Sequence, residues 1–135
     1  MAADPKIDYD AASLAVDALV DEFDSGGTLT FYEGNGDGIP AAADTAINDQ
    51  NVLCAITTPS PSFGAASNGV ASLAGSWTDT VSASGTPAFF RLVVGTNCLQ
   101  GTVGTATSDL IFASVTWLLG GTVTVSTFTV TLPRE

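Results

Sequence analysis

One stretch of the chain decides the fold class: Asp109-Leu-Ile-Phe-Ala-Ser-Val-Thr-Trp-Leu-Leu-Gly-Gly-Thr-Val-Thr-Val-Ser-Thr-Phe-Thr-Val-Thr-Leu-Pro133. Two runs rich in β-branched and aromatic residues flank its Gly-Gly pair, a pattern that predicts a β-hairpin. A two-residue turn would set the apolar residues of each arm against threonines. A three-residue turn over residues 120–122 pairs Trp117 with Val125 and places both apolar sets on one face. We therefore predict a hairpin with the three-residue turn.

The apolar residues of this hairpin change face between its base and its tip. Those near the base share one parity along the chain: Leu110, Phe112, Phe128, Val130 and Leu132. Those near the tip have the opposite parity: Val115, Trp117, Leu119, Val123 and Val125. Either bulges at Ser114 and Thr127 restore a single face, or the base packs in the core and the tip contacts another molecule. The five tip residues are therefore candidates for a partner-binding surface.

An amphipathic helix is predicted over residues 10–24, with apolar residues at helical spacing and acidic residues on the opposite face. A helix of this length is marginal alone, so its apolar stripe must dock on the sheet or on a partner. Val16, Leu19 and Phe23 of that stripe are further candidates for partner binding.

The remaining chain alternates short β-rich runs with turn residues, which is typical of a β-sandwich or jelly roll. We predict a mainly β fold: an antiparallel β-sandwich or jelly roll of about eight strands with one N-terminal α-helix. Its 135 residues fit a single domain. We divide that domain, residues 1–135, into an N-terminal arm at 1–9, the helix at 10–24 and the sandwich at 28–133.

The charge of the chain argues against several classes of function. Three basic and fourteen acidic residues give a net charge of −11, and eleven of the acids fall within residues 1–49. Three scattered cations cannot form a basic footprint, so we expect neither nucleic-acid binding nor attachment to an anionic membrane. The N-terminal sequence has no secretory signal pattern and no apolar run reaches the length of a membrane span, so we expect synthesis in the cytoplasm.

The composition lacks residues that ordinary catalytic sites use. The chain has no histidine, so an ordinary Ser-His or Cys-His nucleophile cannot be built, and a general base near neutral pH would need a strongly shifted carboxylate. The sequence therefore predicts a protein that is not an enzyme and that needs no cofactor.

One loop has oxygen ligands at the spacing of a calcium-binding loop. Glu33, Asn35, Asp37 and Asp44 stand at positions 1, 3, 5 and 12, and Gly38 stands at position 6. The first and last ligands depart from the usual Asp and Glu, and no helix is predicted on either side. Glycine-rich turn chemistry explains the same composition, so calcium is kept as a minor alternative.

Two cysteines, Cys54 and Cys98, lie too far apart in sequence for a metal-ligand motif. Two reduced thiols that behave as small apolar side chains are the favoured interpretation. A disulfide formed after release into an oxidising medium is the alternative.

Several segments resemble a known group of proteins. They are Gly26-Gly-Thr-Leu-Thr-Phe-Tyr-Glu-Gly34, Ser84-Gly-Thr-Pro-Ala-Phe-Phe-Arg-Leu92, Leu99-Gln-Gly-Thr-Val-Gly104, Asp109-Leu-Ile-Phe112 and Gly120-Gly-Thr-Val-Thr-Val-Ser-Thr-Phe-Thr-Val130. Their order resembles that in a family of small structural proteins of tailed-bacteriophage virions, decoration (cement) proteins included. The resemblance implies a virion component without catalytic residues. The long loop at 34–51 and the two cysteines depart from the usual shorter pattern.

These observations lead to one expected function and two alternatives. We expect a capsid decoration protein located in the virion, forming a homotrimer and binding other virion proteins, the major capsid protein above all. The first alternative is a neck, tail or baseplate component. The second is a carbohydrate-binding or adhesion module, which would use exposed aromatic rings, with Tyr32, Trp77 and Trp117 as the candidates.

Overall fold

The computed structural model describes residues 9–36 and 38–131. These residues form one helix and nine strands: α1 (Tyr9–Asp21), β1 (Thr28–Glu33), β2 (Val52–Thr57), β3 (Val70–Ser72), β4 (Thr78–Thr80), β5 (Pro87–Val94), β6 (Asn97–Gly104), β7 (Leu110–Ile111), β8 (Thr122–Thr124) and β9 (Thr129–Thr131). The predicted mainly β, sandwich-like fold with an N-terminal helix is confirmed.

The largest sheet has five strands in the order β2-β1-β5-β6-β7. Its first four strands pair in antiparallel fashion, but β6 and β7 are parallel, so the sheet is mixed and not wholly antiparallel as predicted. Leu29 and Phe31 of β1 lie opposite Leu92 and Phe90 of β5, and all four side chains are buried. This row of apolar pairs forms the core face of the sheet.

Two small sheets cover that core face. β3 pairs with β9 and β4 pairs with β8, both antiparallel. Trp77 and Phe128 belong to the same buried cluster as Phe31 and Phe90. The ring of Phe128 meets that of Phe90 at 5.5 Å between centroids, and both rings belong to the single apolar core.

The hairpin predicted around Gly120-Gly121 is wrong. Trp117 does not face Val125; it bridges to Gly85, and β8 pairs with β4. Trp117 is seven residues before Thr124, and Gly85 is seven residues after Thr78. Residues 117–124 therefore run beside residues 78–85, with the turn at 118–121 interrupting the pairing. The glycine pair forms a local turn, closed by the bond from Gly121 N–H to the Leu118 carbonyl at 2.9 Å, without reversing the chain.

Helix α1 ends at Asp21, three residues earlier than predicted, and continues as a turn in which Phe23 N–H donates to the Val20 carbonyl. Ala12, Val16, Val20 and Phe23 are buried. The acidic side is less solvated than its charge suggests: Asp17 accepts the N–H of Ala66 at 2.7 Å, and Asp24 accepts that of Phe63 at 2.7 Å. These carboxylates tie the helix to the loop between β2 and β3.

Candidate interaction surfaces

The residues predicted at a free hairpin tip lie mostly in the protein's own core. Trp117, Val123 and Val125 are buried, and Val115 packs against the core cluster. Among the base residues, Leu110 and Phe128 are buried too. Both sets face one core because the chain leaves strand geometry at residues 112–116 and 125–128, where its alternation is interrupted. The change of face between the base and the tip residues is therefore no evidence for a second apolar surface.

Two leucines of the same segment are nevertheless exposed. Leu118 is 67% exposed and Leu119 is 68% exposed. Their turn is fixed by three hydrogen bonds besides the bond from Gly121: Leu119 N–H donates to Ser84 Oγ at 2.8 Å, Gly120 N–H donates to the Val81 carbonyl at 3.0 Å, and Val81 N–H donates to the Gly121 carbonyl at 2.7 Å. We call Leu118–Gly121 the leucine turn. Leu119 was a predicted candidate, whereas Leu118 was missed because its parity placed it on the polar face.

The predicted apolar stripe of the helix is also partly buried and partly exposed. Val16 and Phe23 belong to the core cluster, while Leu19 is half exposed. Leu14, which the sequence did not mark, is more exposed than Leu19. A helical wheel distinguishes a buried face from an exposed one, but it does not show how far the covering elements extend around the helix.

Three of the four predicted calcium ligands fall on described residues, and Asp37 lies outside them. Asn35 is engaged with the other end of its loop: its Nδ2 donates to the Asp49 carbonyl at 2.8 Å, and its Oδ1 accepts the N–H of Asn51 at 3.1 Å. Glu33 accepts a bond from the Asn51 amide at 3.4 Å. Among the residues that the structure describes, no group of three or more metal-ligating side chains comes together.

The same loop covers the outer face of the main sheet. Arg91 of β5 is buried on that face, where its Nε donates to Gln100 at 2.9 Å and its Nη2 donates to the Ala42 carbonyl at 3.2 Å. Gln100 in turn donates to the Pro40 carbonyl at 2.8 Å. Gln50 closes the arrangement with a bond to the Gly38 carbonyl at 2.6 Å. We call residues 38–50 the strap, since they lie across the sheet and cover a face that a sandwich commonly leaves to solvent.

Arg91 is the single basic residue among those described, since Lys6 and Arg134 lie outside them. Both of its hydrogen bonds within the described part of the chain go to neutral carbonyl oxygens, and neither goes to a carboxylate. Sequence reasoning missed this residue because an arginine inside a strand commonly points to solvent. The length of the loop between β1 and β2, which contains the strap, was the available signal.

The two cysteines are free thiols. Cys54 lies on the core face opposite Phe31, whereas Cys98 lies on the outer face opposite Val93. Two strands separate them, which corresponds to about 14 Å and exceeds the reach of a disulfide. Burial and the nearby Asp79 charge raise the pKa of Cys54 from 9.0 to about 11. The pKa of Cys98 is also raised, because its burial outweighs the lowering effect of the nearby Arg91 charge. Neither thiol therefore has the lowered pKa of a reactive cysteine.

The aromatic residues proposed for sugar binding are unsuited to that role. Trp77 and Trp117 are buried. Tyr32 is partly exposed, but its ring stacks on Phe89 with centroids 4.9 Å apart and planes 12° from parallel. One ring face is thereby occupied, and the expected set of three exposed aromatic rings is wrong for both tryptophans.

Helix α1 is too short to cross a bilayer, and no other helix of the described residues has the length and apolar character for it. Comparisons of the chain with models of protein families, with curated proteins and with solved structures found no match.

Proposed function

We propose that the chain is a structural protein of a tailed-bacteriophage virion, where it acts as a capsid decoration protein that binds the major capsid protein and stabilises the head. The observation that carries this proposal is the leucine turn. It presents two leucine side chains, each about two-thirds exposed, on a backbone held by several hydrogen bonds. A rigid apolar projection loses little conformational entropy on binding, which suits attachment to a fixed lattice.

The size of the projection supports attachment through several copies. Complete burial of a leucine side chain contributes about 1.5–3 kcal/mol, so covering the exposed parts of two leucines contributes roughly 2–4 kcal/mol per copy. A free energy of about 4 kcal/mol corresponds to millimolar affinity. A homotrimer that engages three equivalent sites would bind far more tightly than one copy, because the second and third contacts become intramolecular.

The distribution of charge supports the same role. Eleven of fourteen acidic residues lie within residues 1–49, whereas residues 110–131 carry no charge. Desolvating an uncharged apolar surface costs little, and the acidic remainder disfavours association between unbound trimers.

The test uses heads of the phage that encodes the chain, prepared without this protein. We expect the wild-type chain to sediment with the heads and to raise the temperature at which they rupture. The double substitution Leu118→Ser and Leu119→Ser should abolish both effects. Leu14→Ser, which removes a leucine of similar exposure from the helix, should preserve them.

Each other outcome has a definite meaning. Binding to tails or necks, but not to heads, would replace the decoration role with the neck, tail or baseplate alternative. Absence of the chain from purified virions would refute the virion role altogether. Undiminished binding of the double variant would show that the leucine turn is not the attachment surface.

A further inference from the structure

Two asparagines of the chain are each followed by glycine: Asn35 precedes Gly36, and Asn68 precedes Gly69. An asparagine in this position can lose its side-chain amide without an enzyme. The main-chain nitrogen of the next residue gives up its proton and attacks the side-chain carbonyl carbon. Glycine hinders that attack least, because it has no Cβ and its backbone adopts the widest range of conformations. Both pairs are therefore candidate modification sites, and their structural settings distinguish them.

The side-chain amide of Asn35 is held at both of its polar atoms. Its Nδ2 donates to the Asp49 carbonyl at 2.8 Å, and its Oδ1 accepts the N–H of Asn51 at 3.1 Å. The carbon between those two atoms is the one that the nitrogen of Gly36 would have to reach. It cannot turn towards that nitrogen unless both hydrogen bonds break, so folding protects Asn35.

The side chain of Asn68 is exposed, and it forms no hydrogen bond within the described part of the chain. The residue lies at the tip of a turn that Ser67 and Val70 close with reciprocal main-chain bonds of 2.9 and 3.0 Å. Gly69 is buried, and its N–H donates to Ser13 Oγ of α1 at 3.0 Å. The helix thus holds the nitrogen that would attack, whereas no bond of this kind holds the side chain that would be attacked.

We propose that Asn68 is a site of spontaneous deamidation, and that release of α1 from the turn controls the reaction. Once Ser13 has separated and the turn has opened, the Gly69 nitrogen passes its proton to hydroxide and attacks Cγ of Asn68. The new C–N bond closes a cyclic imide. The Cγ–Nδ2 bond breaks, and the departing nitrogen takes a proton from water and leaves as ammonia, which regenerates the hydroxide. A further water molecule then opens either C–N bond of the imide, leaving aspartate or isoaspartate at position 68.

Either product would weaken the contact between the helix and the turn. A carboxylate at position 68 adds negative charge to the hollow that Asn68 lines together with Asp17 of α1, and neighbouring like charges repel. In isoaspartate the main chain also passes through the side-chain carbons, which lengthens a turn that fits only two residues between Ser67 and Val70. Each deamidation therefore favours further release of the helix. The reaction requires no virion, so it stands or falls separately from the decoration role.

The experiment incubates the intact protein in mildly alkaline heavy-oxygen water and then digests it with an acid protease in ordinary water. Mass spectrometry of the peptides measures each asparagine separately, because the oxygen that replaces the amide comes from the solvent. In the folded protein, label should enter at Asn68 about fivefold faster than at Asn35, since Asn35 must break two side-chain hydrogen bonds and Gly69 only one. In urea the two rates should agree within about twofold, because unfolding removes these bonds.

A variant of the helix provides a second measurement. Ser13→Ala removes the bond to Gly69 and should speed labelling at Asn68 about fivefold, with the rate at Asn35 and the far-UV circular dichroism unchanged. Ser13→Thr keeps a hydroxyl at the same point and should label at the wild-type rate.

Two results would overturn the assignment of Asn68 as the modification site. One is an absence of label at Asn68 over a period in which the unfolded chain is converted. The other is faster labelling of Asn35 than of Asn68 in the folded protein. Equal rates for Ser13→Ala and the wild type would overturn the control by the helix.

Discussion

Replacing Trp117 by alanine distinguishes an indole that belongs to the core from one that forms a free surface. The indole is 8% exposed and meets the rings of Phe31 and Phe112 edge-on, with centroids 5.1 and 5.3 Å away. Its Nε1 donates to the Ser114 carbonyl at 3.1 Å. Truncating a buried tryptophan costs about 3–5 kcal/mol through lost contacts and the cavity left behind. Leu119→Ala, at an exposed position, should change the free energy of unfolding by less than about 0.5 kcal/mol.

Urea unfolding followed by far-UV circular dichroism measures both variants. With a slope of about 2 kcal/mol per molar urea, Trp117→Ala should lower the midpoint by about 2 M. Trp117→Phe keeps a ring but loses the hydrogen bond, and should show an intermediate decrease that remains measurable if the alanine variant does not fold. A midpoint of Trp117→Ala within about 0.5 M of the wild type would refute placement of this indole in the core.

Three further predictions concern other parts of the chain. Arg91→Met removes one hydrogen bond to the strap, at Ala42, and one to Gln100, which itself donates to Pro40 of the strap. The free energy of opening should therefore fall by about 2 kcal/mol, and proteolysis within residues 38–50 should be about thirtyfold faster with unchanged circular dichroism; equal cleavage rates would contradict the role of the guanidinium. Gly101→Ala places a methyl group 2.6 Å from ring atoms of Phe90 and should lower stability by about 1–3 kcal/mol in thermal unfolding; a neutral effect would mean that the ring moves aside. Burial raises the pKa of Cys54 to about 11, so the folded thiol keeps its proton where the unfolded thiol loses it. The free energy of unfolding should therefore fall between about pH 9 and pH 11, and Cys54→Ala, assayed by urea unfolding across that range, should show a smaller fall than the wild type.

Local sequence signals predicted local structure well. Asn68-Gly69 forms a tight turn before β3, with φ of 54° and 78°, as expected of residues that tolerate the left-handed region. β1 is one of the short β-rich runs, and its alternate residues Leu29 and Phe31 are buried. Trp117, Val123 and Val125 share one face as predicted, but all three are buried, so that face belongs to the core and not to the partner-binding surface that the sequence suggested. Alternation fixes which side chains enter a core, so these features needed no knowledge of the rest of the chain.

Strand partners were the part that local signals could not provide. A hairpin closed at Gly120-Gly121 and a run beside residues 78–85 bury the same side chains and satisfy the same type of backbone bonds. The choice between them depends on a segment some forty residues earlier in the chain. The local pattern of apolar and polar residues does not indicate which distant segment a strand pairs with. The strap was missed for a similar reason. The sequence pattern places Arg91 on a solvent-facing side of its strand, and only the structure shows that a loop covers that side.

The strap has a consequence for how the chain tolerates substitution. In a two-layer β protein, outward positions of a central strand usually accept almost any polar residue. Here β5 is covered on both faces, and seven of its eight residues are buried or partly buried, Val93 being the exception. β4, by contrast, is exposed at all three positions. In a library of random substitutions, variants at inward and outward positions of β5 should therefore both be lost under selection for folding, whereas variants of β4 should be nearly neutral. Tolerance to substitution on β5 thus depends on the strap that covers its outer face, and the alternation of the strand does not predict it.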